Sequence, residues 1–189
     1  MVIGVVKIVD YRAEFIILPE YGNLLMLTVG ILSDTHGYIC PGILDFLEPV
    51  DEIWHAGDLG PGIADQLSRL RPLRAVWGNI DGREVRARFR ETEIFTVEEV
   101  KVLITHIGGY PGRYDTGVKD LIICEKPALF VCGHSHILKV MYDPRYELLH
   151  INPGAAGKFG WHKSFTAVRL RISGIRLHDL EVYDAPRHP

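Results

Sequence analysis

Five short motifs carry carboxylate, imidazole or amide donors, and each closes an apolar run. They are SDTHG with Asp34 and His36, HAGDLG with Asp58, WGNIDG with Asn79, THIGG with His106, and GHSH with His134 and His136. Mixed oxygen and imidazole donors suit Mn²⁺, Fe²⁺, Zn²⁺ or Co²⁺ better than a soft, thiolate-bound metal. A shared carboxylate can bridge two cations about 3.5–4 Å apart, as in hydrolytic two-metal sites. Taken singly, each motif has a plainer explanation. Asp-x-His is an ordinary turn, and Gly-Asp and Gly-Asn pairs recur in turns because Asp and Asn tolerate unusual backbone angles. What asks for a common cause is recurrence, in order, at five successive apolar runs.

Those runs must be the elements that position the donors. LTVGILS (27–33), EIWHA (52–56), LRAVW (73–77), VKVLITH (100–106) and ALFVCG (128–133) read as buried strands. Helical patterns fall at 42–50, 61–71 and 117–126. Alternating strands and helices predict a βαβ architecture. In an open α/β sheet, ligands collect at the carboxyl ends of the strands, which is where all seven donors lie. If GHSH is extended, alternate side chains point the same way, so His134 and His136 face one crevice. Gly57, Gly78 and Gly133 permit sharp turns and close approach just before the donors. The last third changes character: 138–143, 147–152, 165–172 and 175–184 read as antiparallel strands.

Composition bounds the alternatives. The 189 residues, 47% hydrophobic and 24% charged, suit one globular domain of 1–189 with a core over about 27–183. A net charge of −3 gives no sign of bulk affinity for nucleic acid or anionic membrane. No apolar run reaches the roughly 18 residues of a membrane span. Three cysteines, Cys40, Cys124 and Cys132, lack metal-type spacing, and their odd number argues against a disulfide framework. They read as reduced thiols in a cytoplasmic protein, with Cys124 and Cys132 as packing residues. Residues 1–25 read as an extension, with an extra hairpin as one expectation. Asp10, Arg12, Glu14 and Glu20 interrupt its apolar stretches, which argues against a signal peptide.

The ordered set D-x-H, G-D, G-N, H and G-H-x-H resembles the calcineurin-like metallophosphoesterase superfamily, in particular its small single-domain YfcE-like phosphodiesterase branch. INPGAAG (151–157) resembles the NPGS turn of that branch. The resemblance implies a four-layer α/β/β/α sandwich of two mixed sheets, with a metal site at strand C-terminal ends. It assigns Asp34, His36, Asp58 and His136 to a first ion. Asp58 bridges to a second, completed by Asn79, His106 and His134. The implied cofactors are two divalent transition-metal ions, Mn first, with Ni, Fe, Zn or Co as alternatives. The implied reaction is hydrolysis of a small diester or nucleotide-like substrate by a metal-bridging hydroxide, with Asp58 and Asn79 as catalytic residues.

One departure matters. Many relatives carry His directly after the Asn, where it can protonate the leaving group; here Ile80 stands there. Asp81, His55 and His162 are the remaining acid candidates. For substrate contact, the loop GGYPGRYDTG offers Tyr110 for stacking and Arg113 for bidentate phosphate binding. If helical, REVRARFRE places Arg83, Arg86 and Arg90 on one face, read as solvated because Glu84 and Glu91 accompany them. The expected partner is a small phosphoester, without nucleic acid or membrane, and a homo-oligomer is compatible with the branch. Competing readings are a phosphomonoesterase, a nuclease, and a non-catalytic metal-binding scaffold of the same fold.

Overall fold

The stretch LTVGIL forms β1 (Leu27–Leu32), and its alternation feeds two cores. Val29 and Ile31 enter one apolar cluster, while Leu32 enters another on the opposite face. A strand buried on both faces needs apolar residues at nearly every position, and this one has them. The computed structural model describes residues 26–160 and 162–187, so the hairpin expected within 1–25 lies outside the described residues.

After β1 come α1 (Pro41–Leu47), β2 (Glu52–His55), α2 (Ile63–Leu70), β3 (Leu73–Ala75) and α3 (Arg83–Arg88). Then follow β4 (Thr92–Val97), β5 (Val100–Thr105), β6 (Gly109–Tyr110), β7 (Arg113–Tyr114), α4 (Thr116–Glu125) and β8 (Leu129–Val131). The chain closes with β9 (Leu138–Asp143), β10 (Leu148–Pro153), β11 (Ser164–Ser173) and β12 (Arg176–Pro186).

Two five-stranded mixed sheets result, in the orders β12-β11-β1-β2-β3 and β4-β5-β8-β10-β9. The strands β1, β2 and β3 run parallel, as do β5, β8 and β10, so each sheet presents several carboxyl ends at one edge. The largest core lies between the sheets, where Val29, Ile31 and Trp54 meet Val102, Ile104, Leu129, Val131 and Ile151. On the outer face of the first sheet, Ile43 and Leu47 of α1 and Ile63 and Leu67 of α2 pack against Leu32 and Ile53. On the outer face of the second, Val118 and Ile122 of α4 pack against Leu103 and Phe130. Each buried side chain of this size contributes roughly 1.5–3 kcal/mol relative to exposure. The α/β/β/α sandwich is therefore built from three apolar layers.

Helix ends follow local chemistry. Pro41 opens α1, where its missing N–H costs nothing. Asp115 caps α4 by accepting from Gly117 N–H at 3.1 Å.

The segment 92–97, for which the sequence suggested no element, is a strand, β4, paired antiparallel with β5; its alternation is obscured by Thr and Glu on an edge. Three expectations are corrected. Only Arg83–Arg88 of REVRARFRE is helical, and Arg90 lies beyond, its carbonyl accepting from Trp77 N–H at 2.9 Å. Nor is Arg86 merely solvated: its guanidinium stacks on Trp77 at 3.9 Å and its Nε donates to Asp81 O at 2.7 Å. Finally, Cys132 is buried as expected, but Cys124 is exposed on α4 and is not a packing residue.

Candidate metal centre

Each donor sits just past a strand. Asp34 and His36 follow β1, Asp58 follows β2, Asn79 follows β3, His106 follows β5, and His134 and His136 follow β8. The two sheets face each other, so their carboxyl ends open onto one cleft.

Side chains from four of these strand ends form two tight groups. Asp34, His36 and His136 make one, and Asp34, Asp58 and His106 the other. His36 Nε2 and His136 Nε2 face each other at 3.3 Å, and His136 Nε2 stands 3.1 Å from Asp34 Oδ1. His106 Nε2 lies 3.2 Å from Asp58 Oδ2 and 3.1 Å from Asn79 Oδ1. His134 joins neither group; its exposed ring lies edge-on to His106, with centroids 5.3 Å apart. The residue shared by both groups is Asp34, whereas the resemblance implies a bridge through Asp58.

Asp34 is fully buried, and its two oxygens have different neighbours. Oδ2 accepts the His134 backbone N–H at 3.0 Å. Oδ1 accepts no hydrogen bond at all, although three imidazole Nε2 atoms lie within 4.0 Å of it. A buried, under-satisfied carboxylate oxygen is costly unless a cation compensates it. Carboxylate, imidazole and amide oxygen converging there fit a divalent transition metal.

The charge pattern of the metal-free site agrees. For His106, burial favours the neutral form, but the hydrogen bond with Asp58 and the charges of Asp34 and Asp58 prevail and raise its pKa. For Asp58, burial opposes ionisation, yet the His106 bond and charge and the Ile80 N–H outweigh it and lower its pKa. The same carboxylates that favour a proton on His106 would favour a cation, so a metal held here would compete with protons and bind more weakly as pH falls. His36 is pushed down, chiefly by burial, with Asp34 and Asp58 opposing.

The backbone bends sharply at the donors. Asp34, His36, Asp58, His134 and His136 all have positive φ, between 48° and 66°. Such non-glycine residues cost about 1–3 kcal/mol each and persist only where surrounding contacts over-determine them. GHSH is therefore not extended, which corrects the sequence argument for its two histidines: left-handed turns aim them, not strand alternation. Two glycines make the close approaches possible. A Cβ on Gly133 would strike Ser33 Oγ and Asp34, and one on Gly78 would strike Asp58.

The supporting contacts were only partly visible in the sequence. Asp81 Oδ2 accepts from Gly78 N–H at 2.8 Å and Leu59 N–H at 3.2 Å, and its Oδ1 from Gly60 N–H at 2.9 Å. It pins the Asp58 and Asn79 loops together and is not placed to serve as a proton donor. His55 is fully buried, with Nε2 at 3.0 Å from Thr35 Oγ1 and Nδ1 accepting Gly57 N–H at 3.2 Å. Burial lowers its pKa to about 4, so it stays neutral. His162 alone of the three acid candidates turns its ring toward the cluster, 5.1 Å from that of His136. Sequence reasoning missed Asn152, whose Nδ2 donates to Gly133 O at 2.7 Å and Ser135 Oγ at 3.1 Å, fixing the GHSH turn. Its position inside INPG was the available signal. Tyr110 and Arg113 pair across the β6–β7 hairpin, beside His134 along the wall of a cavity.

A two-sheet α/β sandwich with carboxylates and imidazoles gathered at its strand ends has the architecture of a metallophosphoesterase. The profile of the calcineurin-like phosphoesterase superfamily domain matches residues 27–174, and the chain belongs to that superfamily. No curated protein sequence matches the chain significantly. Solved structures share the fold at low identity. Vacuolar Protein Sorting 29 from Cryptosporidium parvum superposes with a TM-score of 0.71 at 18% identity, covering 88% of this chain and 95% of that one. Wild-type Vps29 from Entamoeba histolytica, complexed with Zn²⁺, gives 0.60 at 19%, covering 84% and 99%. An archaeal phosphodiesterase gives 0.60 at 19%, covering 78% and 99%. Among the described residues no helix is long and apolar enough to cross a membrane.

Proposed function

We propose that the chain is a divalent-metal-dependent phosphoesterase, and more narrowly a phosphodiesterase of the YfcE-like branch acting on a small diester or nucleotide-like substrate. The observation that carries this reading is Asp34 Oδ1, a buried carboxylate oxygen without a hydrogen bond, facing three imidazoles. Asp34, His36, Asp58 and His136 would hold one ion, and Asp58, Asn79, His106 and His134 the other. Mn²⁺ is favoured, with Ni, Fe, Zn or Co as alternatives; the Zn²⁺ complex of the Entamoeba histolytica relative supports a transition metal. When bound, such ions lower the pKa of water toward neutrality and offset phosphoryl charge.

The remaining work falls to the chain's own groups. Asn79 turns Oδ1 toward His106, which leaves its Nδ2 free to donate to a phosphoryl oxygen as negative charge develops there. Asp58 is held by the Ile80 N–H at 3.0 Å, so its second oxygen stays aimed at the cluster. Arg113 would grip a substrate oxygen and Tyr110 a flat substituent. With Ile80 unable to donate a proton, Asp81 and His55 committed to structure, and His162 donating its Nε2–H to Gly157 O at 3.2 Å, the site favours leaving groups that depart as stable anions. Unpaired thiols at Cys40, Cys124 and Cys132 suit a reducing cytoplasm.

The test is metal-stripped protein assayed on bis(4-nitrophenyl) phosphate with Mn²⁺, Ni²⁺, Zn²⁺ or Mg²⁺ restored. Turnover that returns with a cation supports the enzyme. Absence of turnover with every cation removes it in favour of a second reading, a metal-binding scaffold. One observation favours that second reading: Ile80, Ile107, Ile137 and Phe159 are 45–63% exposed, and each adjoins or touches a donor. Such an apolar rim would suit a protein partner.

A further inference from the structure

Beside the metal centre lies a cavity of about 390 Å³ that shares Gly133, His134 and Ser135 with it. This size falls within the range of small-molecule sites, roughly 300–1,000 Å³. Ile107 and Ile137 contribute apolar wall next to His106 and His136, and Tyr110 forms another face. Two cations reach into the same space. Lys139, from β9, sets its Nζ over the Tyr110 ring at 4.1 Å. Arg113 is the cross-strand partner of Tyr110 on the β6–β7 hairpin.

The charge of this cavity is unbalanced. Among the described residues no carboxylate pairs with Arg113 or Lys139. The single acidic lining residue, Asp115, which also caps α4 through Oδ1, sets one negative charge against these two cations, so the lining stays net positive. The nearby Asp143 is likewise engaged, by Tyr114 Oη–H at 2.9 Å and Arg145 N–H at 2.9 Å. Two unpaired cations converging on a concave, partly apolar surface are matched by an anion with several acceptor oxygens. Lys139 does not belong to the seven-donor cluster, so this positive charge has no role in holding metal.

We propose that the cavity receives one ester arm of the substrate, and that this arm carries a second phosphate. The scissile phosphate lies at the metal centre. The arm passes His134 along Ile107 and Ile137, and its terminal phosphate meets Arg113 and Lys139 on either side of Tyr110. The inference rests on the phosphodiesterase reading and narrows its substrate class to diesters bearing a distal phosphoryl group.

The test compares two substrates with the same leaving group, 4-nitrophenyl propyl phosphate and 4-nitrophenyl 3-phosphonopropyl phosphate, with Mn²⁺ restored. The phosphono arm should raise kcat/KM by about tenfold or more, mainly through KM, as expected for a charge-assisted contact. The ratio between the two substrates should fall toward one in the double variant Arg113→Gln, Lys139→Gln. Circular dichroism of that variant confirms folding, and a folded variant that keeps the wild-type ratio overturns the proposal. Equal rates on both substrates in the wild-type protein overturn it while leaving the phosphodiesterase reading intact. If neither substrate is hydrolysed with any cation, the enzyme reading fails and this inference falls with it.

Discussion

The backbone N–H of His134 donates to Asp34 Oδ2 at 3.0 Å across 100 residues of sequence. This bond ties the end of β8 to the end of β1, one strand from each sheet. It also settles which oxygen of Asp34 turns to the imidazoles. With Oδ2 engaged, Oδ1 points at His36, His106 and His136. The cluster is thus held by the packing of two sheets and one main-chain bond, before any ion enters.

Asp34→Asn should keep this main-chain bond, since an amide oxygen can still accept it, while replacing Oδ1 by an NH₂ group. In the wild-type protein, Mn²⁺ at about 100 times its Kd should stabilise the fold by about 2.7 kcal/mol. That corresponds to a rise in Tm of roughly 5–10 °C for a domain of this size. The variant should lose the rise. Thermal melts of metal-stripped protein with and without Mn²⁺ measure it, and an equal rise in both proteins would disprove the role of Oδ1.

Asp58 lies between the Ile80 N–H and His106. Asp58→Asn retains the shape but removes the negative charge that two cations would share. Turnover of an aryl diester should fall by about a thousandfold or more, the rate equivalent of several kcal/mol. Near-normal steady-state rates in a folded variant would exclude a shared carboxylate at this position.

Ile80 is 49% exposed, so its side chain can change without disturbing a core. Ile80→His places an imidazole beside Asn79. Diesters with alkyl leaving groups should gain about tenfold or more in kcat, because a general acid contributes most where the leaving group is basic. Aryl diesters should change little. The ratio of alkyl to aryl rates is the readout, and an unchanged ratio would show that protonation does not limit the reaction.

Asp81 is 4% exposed and accepts three backbone N–H groups. Asp81→Asn turns one acceptor oxygen into a donor facing donors. Stability should drop by about 1–3 kcal/mol, measured by urea denaturation. A change below the error of that measurement would mean the loops hold without this pin.

His150 gives the pH dependence. It is fully buried, with Nε2 donating to Gly109 O at 3.1 Å and Nδ1 without a partner. Burial, the largest cause, lowers its pKa from 6.5 to about 4. Below pH 6.5 the unfolded chain takes up a proton that the folded protein refuses until about pH 4. Stability is therefore lost as pH falls through that window, by about 2–3 kcal/mol for this group. His150→Gln should show a smaller loss between pH 7 and pH 4.5 in paired urea titrations. Identical losses would place the acid sensitivity elsewhere.

Much of the fold was legible because strands buried on both faces demand continuous apolar runs, and those runs stand out between the helices. Edge strand β4 was not, because an edge tolerates Thr and Glu. Arg86 was misread because a charged side chain on a helix carries no mark of the aromatic ring and carbonyls it meets.

The sequence by itself determined the donor types, their order and that each follows a strand. Donor type and order are covalent facts, and the apolar runs that precede the donors mark buried strands. Only the tertiary structure decided how the donors group, because distances between strands depend on sheet order and on the bonds that tie turns together. It put Asp34 rather than Asp58 at the centre of both tight groups. It turned GHSH with positive φ angles in place of an extended segment, and it set Lys139 over Tyr110 beside the cleft. Each of these depends on contacts between segments distant in sequence, which no local pattern encodes.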